Sequence, residues 1–201
     1  MAQAGFRQMR EVTRALVEFV DDGARRADRA RRSFGSPGIG TGAHFAGMEL
    51  GRLSGVALEH APYRGAPAAL PDLQSGRLGM FVASVGEFRE HARAGRVRVL
   101  ATPSAARLAA MPEVPTLREA GFDILAPGWF ALYAPAAMPD AVAARLGEGV
   151  ASALGNPALR ERIEAQGFEV SGAGADELGR IQAADSLSWA AMVRVSGFRL
   201  E

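Results

Sequence analysis

The order of apolar and polar positions along the chain predicts an alternation of helices and strands. Residues 8–20 carry Met9, Val12, Leu16, Phe19 and Val20 at helical spacing, a buried stripe that Asp21-Asp22-Gly23 brings to an end. Phe45, Met48, Leu50 and Leu53 again fall on one side of a helix, and Thr41 is a good N-cap just ahead of them. Residues 56–60 read as a short strand, 61–67 as a turn-rich segment, and 68–74 as a small helix closed by Ser75-Gly76. Residues 77–83 form a mostly apolar run of strand length, covered on both faces. Residues 87–94 are helical with Gly95 as C-cap, and 97–101 are the next strand. Strand, helix, strand, helix, strand is the rhythm of a parallel α/β sheet.

The texture then changes. Pro103, Pro112 and Pro115 flank an alanine-rich piece, and residues 116–121 read as a capped helical turn. Trp129, Phe130 and Tyr133 are expected on a long strand within 122–135. Pro139-Asp140 opens a helix with Val142, Leu146 and Val150 inward, and Asn156-Pro157 opens another with Leu159 and Ile163 inward. Residues 167–170 suggest a short strand. Residues 176–195 suggest a last amphipathic helix carrying Leu178, Ile181, Leu187, Trp189 and Met192.

Composition narrows the chemistry. At 201 residues, 48% hydrophobic and 22% charged, the chain is long enough for one good-sized domain or two small ones. A net charge of +1 implies neither a nucleic-acid stripe nor an acidic tail. The basic run at 24–32, with Arg25, Arg26, Arg29, Arg31 and Arg32 against Asp28 alone, has no interleaved aromatic and reads as a solvated connector. All 23 basic residues are arginine, which excludes a lysine nucleophile, a Schiff-base lysine and a P-loop lysine. Absence of cysteine excludes thiol catalysis, disulfides and thiolate metal sites. His44, His60 and His91 stand in no metal-ligand spacing, so no metal, no cofactor and no catalytic residue is expected. Residues 1–10 lack the uninterrupted apolar stretch and small-residue cleavage site of a secretory signal, and no window is long and apolar enough to span a bilayer.

The candidate chemistry lies in Gly35-Ser36-Pro37-Gly38-Ile39-Gly40-Thr41-Gly42-Ala43-His44. So many glycines with a proline predict a tight loop over 35–40 whose backbone N–H groups are uncovered. Feeding a helix N-terminus, such a loop presents free donors and the positive end of the helix dipole at one point, which suits a phosphate or a carboxylate. The same stretch fits G-x-G-x-x-A, and Glu59, at the end of the next strand, stands where a ribose-binding acid would be expected. An NAD-type dinucleotide domain is therefore the rival reading. Against it, Arg31-Arg32-Ser33-Phe34 is not the buried apolar strand such a fold places before its glycines.

Several separate motifs resemble one family. The glycine stretch with His44, then His60-Ala61-Pro62-Tyr63-Arg64-Gly65, then Pro112-Glu113-Val114-Pro115-Thr116 with Glu119-Ala120-Gly121, then Trp129-Phe130-Ala131-Leu132-Tyr133-Ala134-Pro135, are together similar to the Bug (TctC-like) solute-binding proteins of tripartite tricarboxylate transporters. The resemblance runs from about residue 8 to the C-terminus. It implies an α/β fold of the periplasmic binding protein type II class, one lobe essentially complete over 1–124, and the crossover strand and C-terminal part of a second lobe over 125–201. It implies a non-enzymatic receptor for a small organic carboxylate, working with membrane transporter components in the periplasm, and in the cytoplasm if Met1 is the true start.

Carried over by motif, Ser36, Gly38, Ile39, Gly40 and Thr41 form the carboxylate cradle, with His44 facing the ligand or fixing the loop. Tyr63 and Arg64 end the second strand, Arg64 standing where the family commonly has lysine, and Trp129 and Phe130 either wall the cleft or belong to an aromatic core. Aspartates common in the family around the third strand are replaced by Gly79 and Ala83, and the following asparagine by Ser84. The front half of one lobe has no counterpart before Met1, so either the chain is a fragment or a homo-oligomer covers the exposed sheet face. The remaining alternative is a truncated, ligand-inactive fragment acting only through protein interactions.

Overall fold

Phe34 has no exposed surface, and the short strand that carries it is the centre of the sheet. The computed structural model describes residues 32–126, 128–196 and 198. The helix expected over 8–20, the N-terminal stretch 1–10 and most of the basic connector lie outside the described residues.

Strand β1 (Ser33–Ser36) pairs in parallel with β2 (Glu59–Pro62) on one side and β3 (Met80–Phe81) on the other, giving the order β2-β1-β3. Phe34 lies opposite His60 and Met80, and Gly35 opposite Ala61 and Phe81. The ladder continues past β1 through Tyr63 N–H to Ser36 O at 2.9 Å and Val82 N–H to Gly35 O at 2.9 Å. The expectation that no strand precedes the glycines is overturned. Flanked on both sides, β1 has its backbone groups satisfied, so one large apolar residue suffices to seat it. The predicted loop accordingly shrinks to 37–41, because Gly35 and Ser36 belong to the strand. Gly35 is needed there: a Cβ would lie 2.6 Å from the Phe81 ring.

Helix α1 (Gly42–Ser54) covers the Phe34 face, burying His44, Phe45, Ala46, Gly47, Leu50 and Gly51. Leu53, expected on the buried stripe, is exposed. The helix ends at Gly55, whose φ of +71° is the left-handed C-cap conformation. Helix α2 (Ala66–Gln74) returns the chain to β3, and α3 (Val85–Arg93) follows it. Because the chain crosses from β1 to β2 in one direction and from β2 past β1 to β3 in the other, right-handed connections place α1 and α2 on opposite faces of the sheet. The strand predicted over 56–60 is displaced to Glu59–Pro62, and the one predicted over 77–83 is shorter, Met80–Phe81.

The core joins Ala46, Leu50 and Val56 to Leu117, Ala120 and Ile124, with Leu58, Met80, Leu100, Ala101 and Phe122 half-buried against it. Residues 97–101 are not a strand. They contribute Leu100 and Ala101 to this core, and an isolated parallel bridge, Thr102 to Thr116, is the pairing beside them. The capped turn at 116–121 forms as expected: Glu119 N–H donates to Thr116 Oγ1 at 3.1 Å, and Thr116 N–H to Glu119 Oε2 at 2.8 Å.

Beyond Ile124 the sequence expectations fare less well. The long strand expected within 122–135 does not form, and Phe130 is 85% exposed, because no ladder partner lies beside it among the described residues. Residues 167–170 likewise join no sheet. Helices α4 (Asp140–Leu154), α5 (Pro157–Glu164) and α6 (Ala175–Ser196) form where expected, Asn156 capping α5 through Ala158 N–H at 2.9 Å. Val142 and Leu146 of α4 are nevertheless exposed, since no described element covers them, and so is Leu187 of α6. Leu178, Ile181, Trp189 and Met192 of α6 are half-buried, and this helix packs on α1. No helix among the described residues is long and apolar enough to cross a membrane.

Candidate functional site

Strand order β2-β1-β3 creates a switch point: the chain leaves β1 toward one side, and β3 lies on the other, and beyond the carboxyl ends of such strands is where open α/β sheets bind their ligands. The glycine loop follows β1 at this end, and Ser84 with the N-terminus of α3 follows β3.

Inside the loop the side chains bond to one another. The Oγ of Ser36, a fully buried residue, lies 3.0 Å from Gly38 O and 2.7 Å from His60 Nε2, and accepts from Gly38 N–H at 3.4 Å. Thr41 Oγ1 donates to Gly38 O at 2.7 Å and accepts from His44 N–H at 3.2 Å, which makes it the expected N-cap of α1. Gly40 N–H donates to His44 Nδ1 at 3.2 Å, and the Gly40 φ of +76° suits glycine. His44 therefore fixes the loop.

What remains open is backbone. The N–H groups of Ile39, Thr41, Gly42 and Ala43 meet no acceptor among the described residues. They stand at the N-terminus of a 13-residue helix with no acidic side chain in its first turn, so nothing there offsets the positive end of the dipole. Ile39 is 60% exposed and Gly40 is exposed, which leaves the loop tip open to solvent. Trp189 of α6 packs against Gly42, and Phe198 lies edge-on to His44 with ring centroids 5.7 Å apart, so the C-terminal segment borders the loop.

The two histidines form a pair, with ring centroids 4.1 Å apart. Accepting from Gly40 requires a bare Nδ1, so His44 is a neutral imidazole in this arrangement. Burial pushes the His44 pKa below its ordinary value. Burial and the neighbouring His44 push His60 down to about 4.

The other expected site residues are dispersed around this centre. Tyr63 follows β2, but its hydroxyl donates to Asp72 Oδ2 of α2 at 2.9 Å, and burial together with that carboxylate raises its pKa. Arg64 is exposed at the next position. Ser84 stands at the N-cap position of α3 without a side-chain capping bond, its Oγ donating instead to Glu87 Oε1 at 3.1 Å. Trp129 is 38% exposed, and its indole N–H bonds Asp185 of α6, tying 129 to the C-terminal helix. Two residues central to this geometry were not among the expected ones. His60 becomes visible only through its register with Phe34. Glu87, whose Oε2 accepts from Ala66 N–H at 3.1 Å, is signalled by the Ser84-x-x-Glu87 capping pattern.

The dinucleotide alternative loses a different support from the one expected. A strand does precede the glycines, but Glu59 opens β2 instead of ending it, which places its carboxylate at the amino edge of the sheet, away from the carboxyl ends. No group of three or more potential metal-ligating side chains gathers among the described residues.

Comparison with known proteins agrees with this architecture. A family model described as the tripartite tricarboxylate transporter family receptor matches residues 13–198. The chain is 32% identical over 190 residues to the UPF0065 protein in the tcbD-tcbE intergenic region of Pseudomonas sp. (strain P51), covering 92% of this chain and 54% of that one. It is 32% identical over 171 residues to BugT of Bordetella pertussis (strain Tohama I), covering 84% and 52%. Among solved structures, the periplasmic binding protein BugD matches with a TM-score of 0.78 at 26% identity, over 90% of this chain and 60% of that one. R. palustris Rpa4515 with adipate shares the fold, with a TM-score of 0.79 at 24% identity, over 89% and 59%. The fold is thus that of the periplasmic binding proteins, as expected, and the chain spans about half the length of the curated relatives it matches.

Proposed function

The chain belongs to the tripartite tricarboxylate transporter receptor family, and from that premise we propose that it captures a small organic carboxylate at the glycine loop for a transport system of that kind. The observation that carries this reading is the set of N–H groups at Ile39, Thr41, Gly42 and Ala43, without protein acceptors among the described residues, at the start of α1. A carboxylate oxygen placed there gains charge-assisted bonds and the favourable end of the dipole. Ser36, Gly38, Gly40, Thr41 and His44 hold the cradle in shape, while Arg64 and Ser84 stand at the neighbouring strand ends to meet the rest of the acid. Tyr63 and Trp129 act through the elements they tie down. Residues 1–124 make up the ligand lobe and 125–201 part of a second lobe, acting in the periplasm with membrane transporter components. The adipate held by the R. palustris protein makes a linear dicarboxylate the first probe.

The test is calorimetry with adipate on the full chain and on Gly38→Val. A Cβ at Gly38 would meet only Thr41 Cγ2, at an ordinary 3.5 Å, so this variant keeps its fold while valine crowds the cradle. The expected result is adipate binding that weakens at least tenfold in Gly38→Val. Binding unchanged in the variant counts against the cradle. A thermal-shift panel in which NAD stabilises the chain and organic acids do not would favour the dinucleotide reading.

A further inference from the structure

The loop is held by a hydrogen bond whose acceptor can be titrated. Gly40 N–H donates to His44 Nδ1 at 3.2 Å, and this bond ties the turn of the loop at Gly40 to the first turn of α1. A proton added at Nδ1 sets one N–H against another, so the attraction becomes a repulsion and the loop must turn Gly40 or release the ring. Among the described residues no acidic side chain is set against the new charge. Of the elements against this pair, β1 brings Phe34 and Ser36, β2 brings His60, and α6 brings Trp189 on Gly42, with Phe198 edge-on beyond it. His60 is the titratable group among these. Glu59, its neighbour on β2, points to the opposite face of the sheet by strand alternation. Asp185 of α6 is engaged by the Trp129 indole.

We propose that the His44–His60 pair is an acid switch on the carboxylate cradle: neutral His44 keeps the glycine loop in its binding shape, and protonation of His44 releases Gly40 and lowers affinity for the ligand. This rests on the carboxylate reading of the loop. His60 sharpens the response. Its ring stands 4.1 Å from His44 and holds Ser36 at the root of the loop, so a charge on His44 is met by a neutral, hydrogen-bonded neighbour, and the pair takes up its two protons in separate steps. The neutral form of His44 is favoured by burial, which sets the response on the acid side of an ordinary histidine.

The experiment uses the full chain, followed by ¹H–¹⁵N NMR and by adipate calorimetry between pH 7.5 and 5.0, beside His44→Asn. Asparagine offers its Oδ1 to Gly40 N–H in place of Nδ1 and does not titrate. In the unliganded wild-type chain the Gly40 amide resonance should move with a single transition below pH 6.5, and in His44→Asn it should stay still. Adipate affinity should fall at least tenfold more in the wild-type chain than in His44→Asn, the variant reporting the share due to protonation of adipate itself. A Gly40 resonance that is invariant in the wild-type chain overturns the switch without using any ligand or variant. Equal losses of affinity in the two chains overturn its control over capture. A moving Gly40 resonance with no adipate binding at any pH upholds the titratable loop and refutes the carboxylate reading on which its function rests.

Discussion

Gly47 is where α1 comes nearest the sheet, and replacing it tests whether Phe34 organises the fold. A Cβ at position 47 would lie 2.2 Å from Phe34 Cε2 and 2.4 Å from Cδ2, where carbon atoms need about 3.5–4.0 Å. The Phe34 ring cannot retreat: it is fully buried, on the central strand, with the His60 ring 4.8 Å away. Gly47→Ala therefore forces α1 outward, an overpacking cost of about 3 kcal/mol, from which alanine's better helix propensity recovers about 1 kcal/mol. For a chain of this size the net 2 kcal/mol should lower the Tm by roughly 4–8 °C. Gly147→Ala on α4 is the control, since a Cβ there meets nothing within 4 Å. It should gain about 1 kcal/mol from propensity alone and raise the Tm by roughly 2–4 °C. Melting curves followed by circular dichroism read both. Adding Phe34→Leu to Gly47→Ala should restore part of the loss, a coupling of at least about 1 kcal/mol in a double-mutant cycle. If Gly47→Ala melts with Gly147→Ala, or the cycle shows no coupling, the close approach of α1 to Phe34 is not what seats the helix.

Two further outcomes follow from the loop and its histidines. Thr41→Ala removes both the N-cap bond to His44 N–H and the donor to Gly38 O, and should cost about 1–2 kcal/mol in urea unfolding; a loss within about 0.3 kcal/mol would mean the cap is redundant. His60 makes stability depend on pH. Its pKa is about 4 in the fold against 6.5 as the ordinary value, so between those pH values the unfolded chain takes up a proton that the folded chain refuses. Stability is full above pH 6.5 and falls as the pH drops toward 4, by about 3 kcal/mol at most and roughly 2 kcal/mol once solvent around the half-buried ring is allowed for. Urea midpoints at pH 7.5 and 4.5 should show the fall in the wild-type chain and a smaller one in His60→Gln, and equal falls would remove His60 from the account.

Much of this was legible where the chemistry is local. Thr41 and Asn156 are caps because their side chains reach backbone two or three residues on, and Thr116 with Glu119 closes a capping box on the same terms. Of the three strands in the predicted βα rhythm, two form, at Glu59–Pro62 and Met80–Phe81. Where structure depends on a distant neighbour, the local pattern misled in both directions. Residues 33–36 look too polar for a strand, yet β2 and β3 complete their hydrogen bonds from either side. Residues 97–101 look like a strand and instead give Leu100 and Ala101 to a core without a ladder. Phe130, Val142 and Leu146 follow apolar patterns that describe a covered face, and no described element covers them.

The site itself depends most on something that no local pattern carries. Ser36 and His60 are 24 residues apart, and each alone reads as an ordinary polar residue near a turn. The register Phe34 to His60 puts both side chains on the face that α1 covers, and only then can Nε2 reach Ser36 Oγ while the ring stacks toward His44. A slip of one residue would turn His60 to the opposite face and bring the Glu59 carboxylate beneath the loop, where it would compete with any bound anion. Alternation along β2 therefore decides whether the cradle sits over a neutral imidazole or over a negative charge. The residues that hold this register, Phe34 above all and Gly47 above it, are as necessary to the proposed cradle as the glycine loop itself.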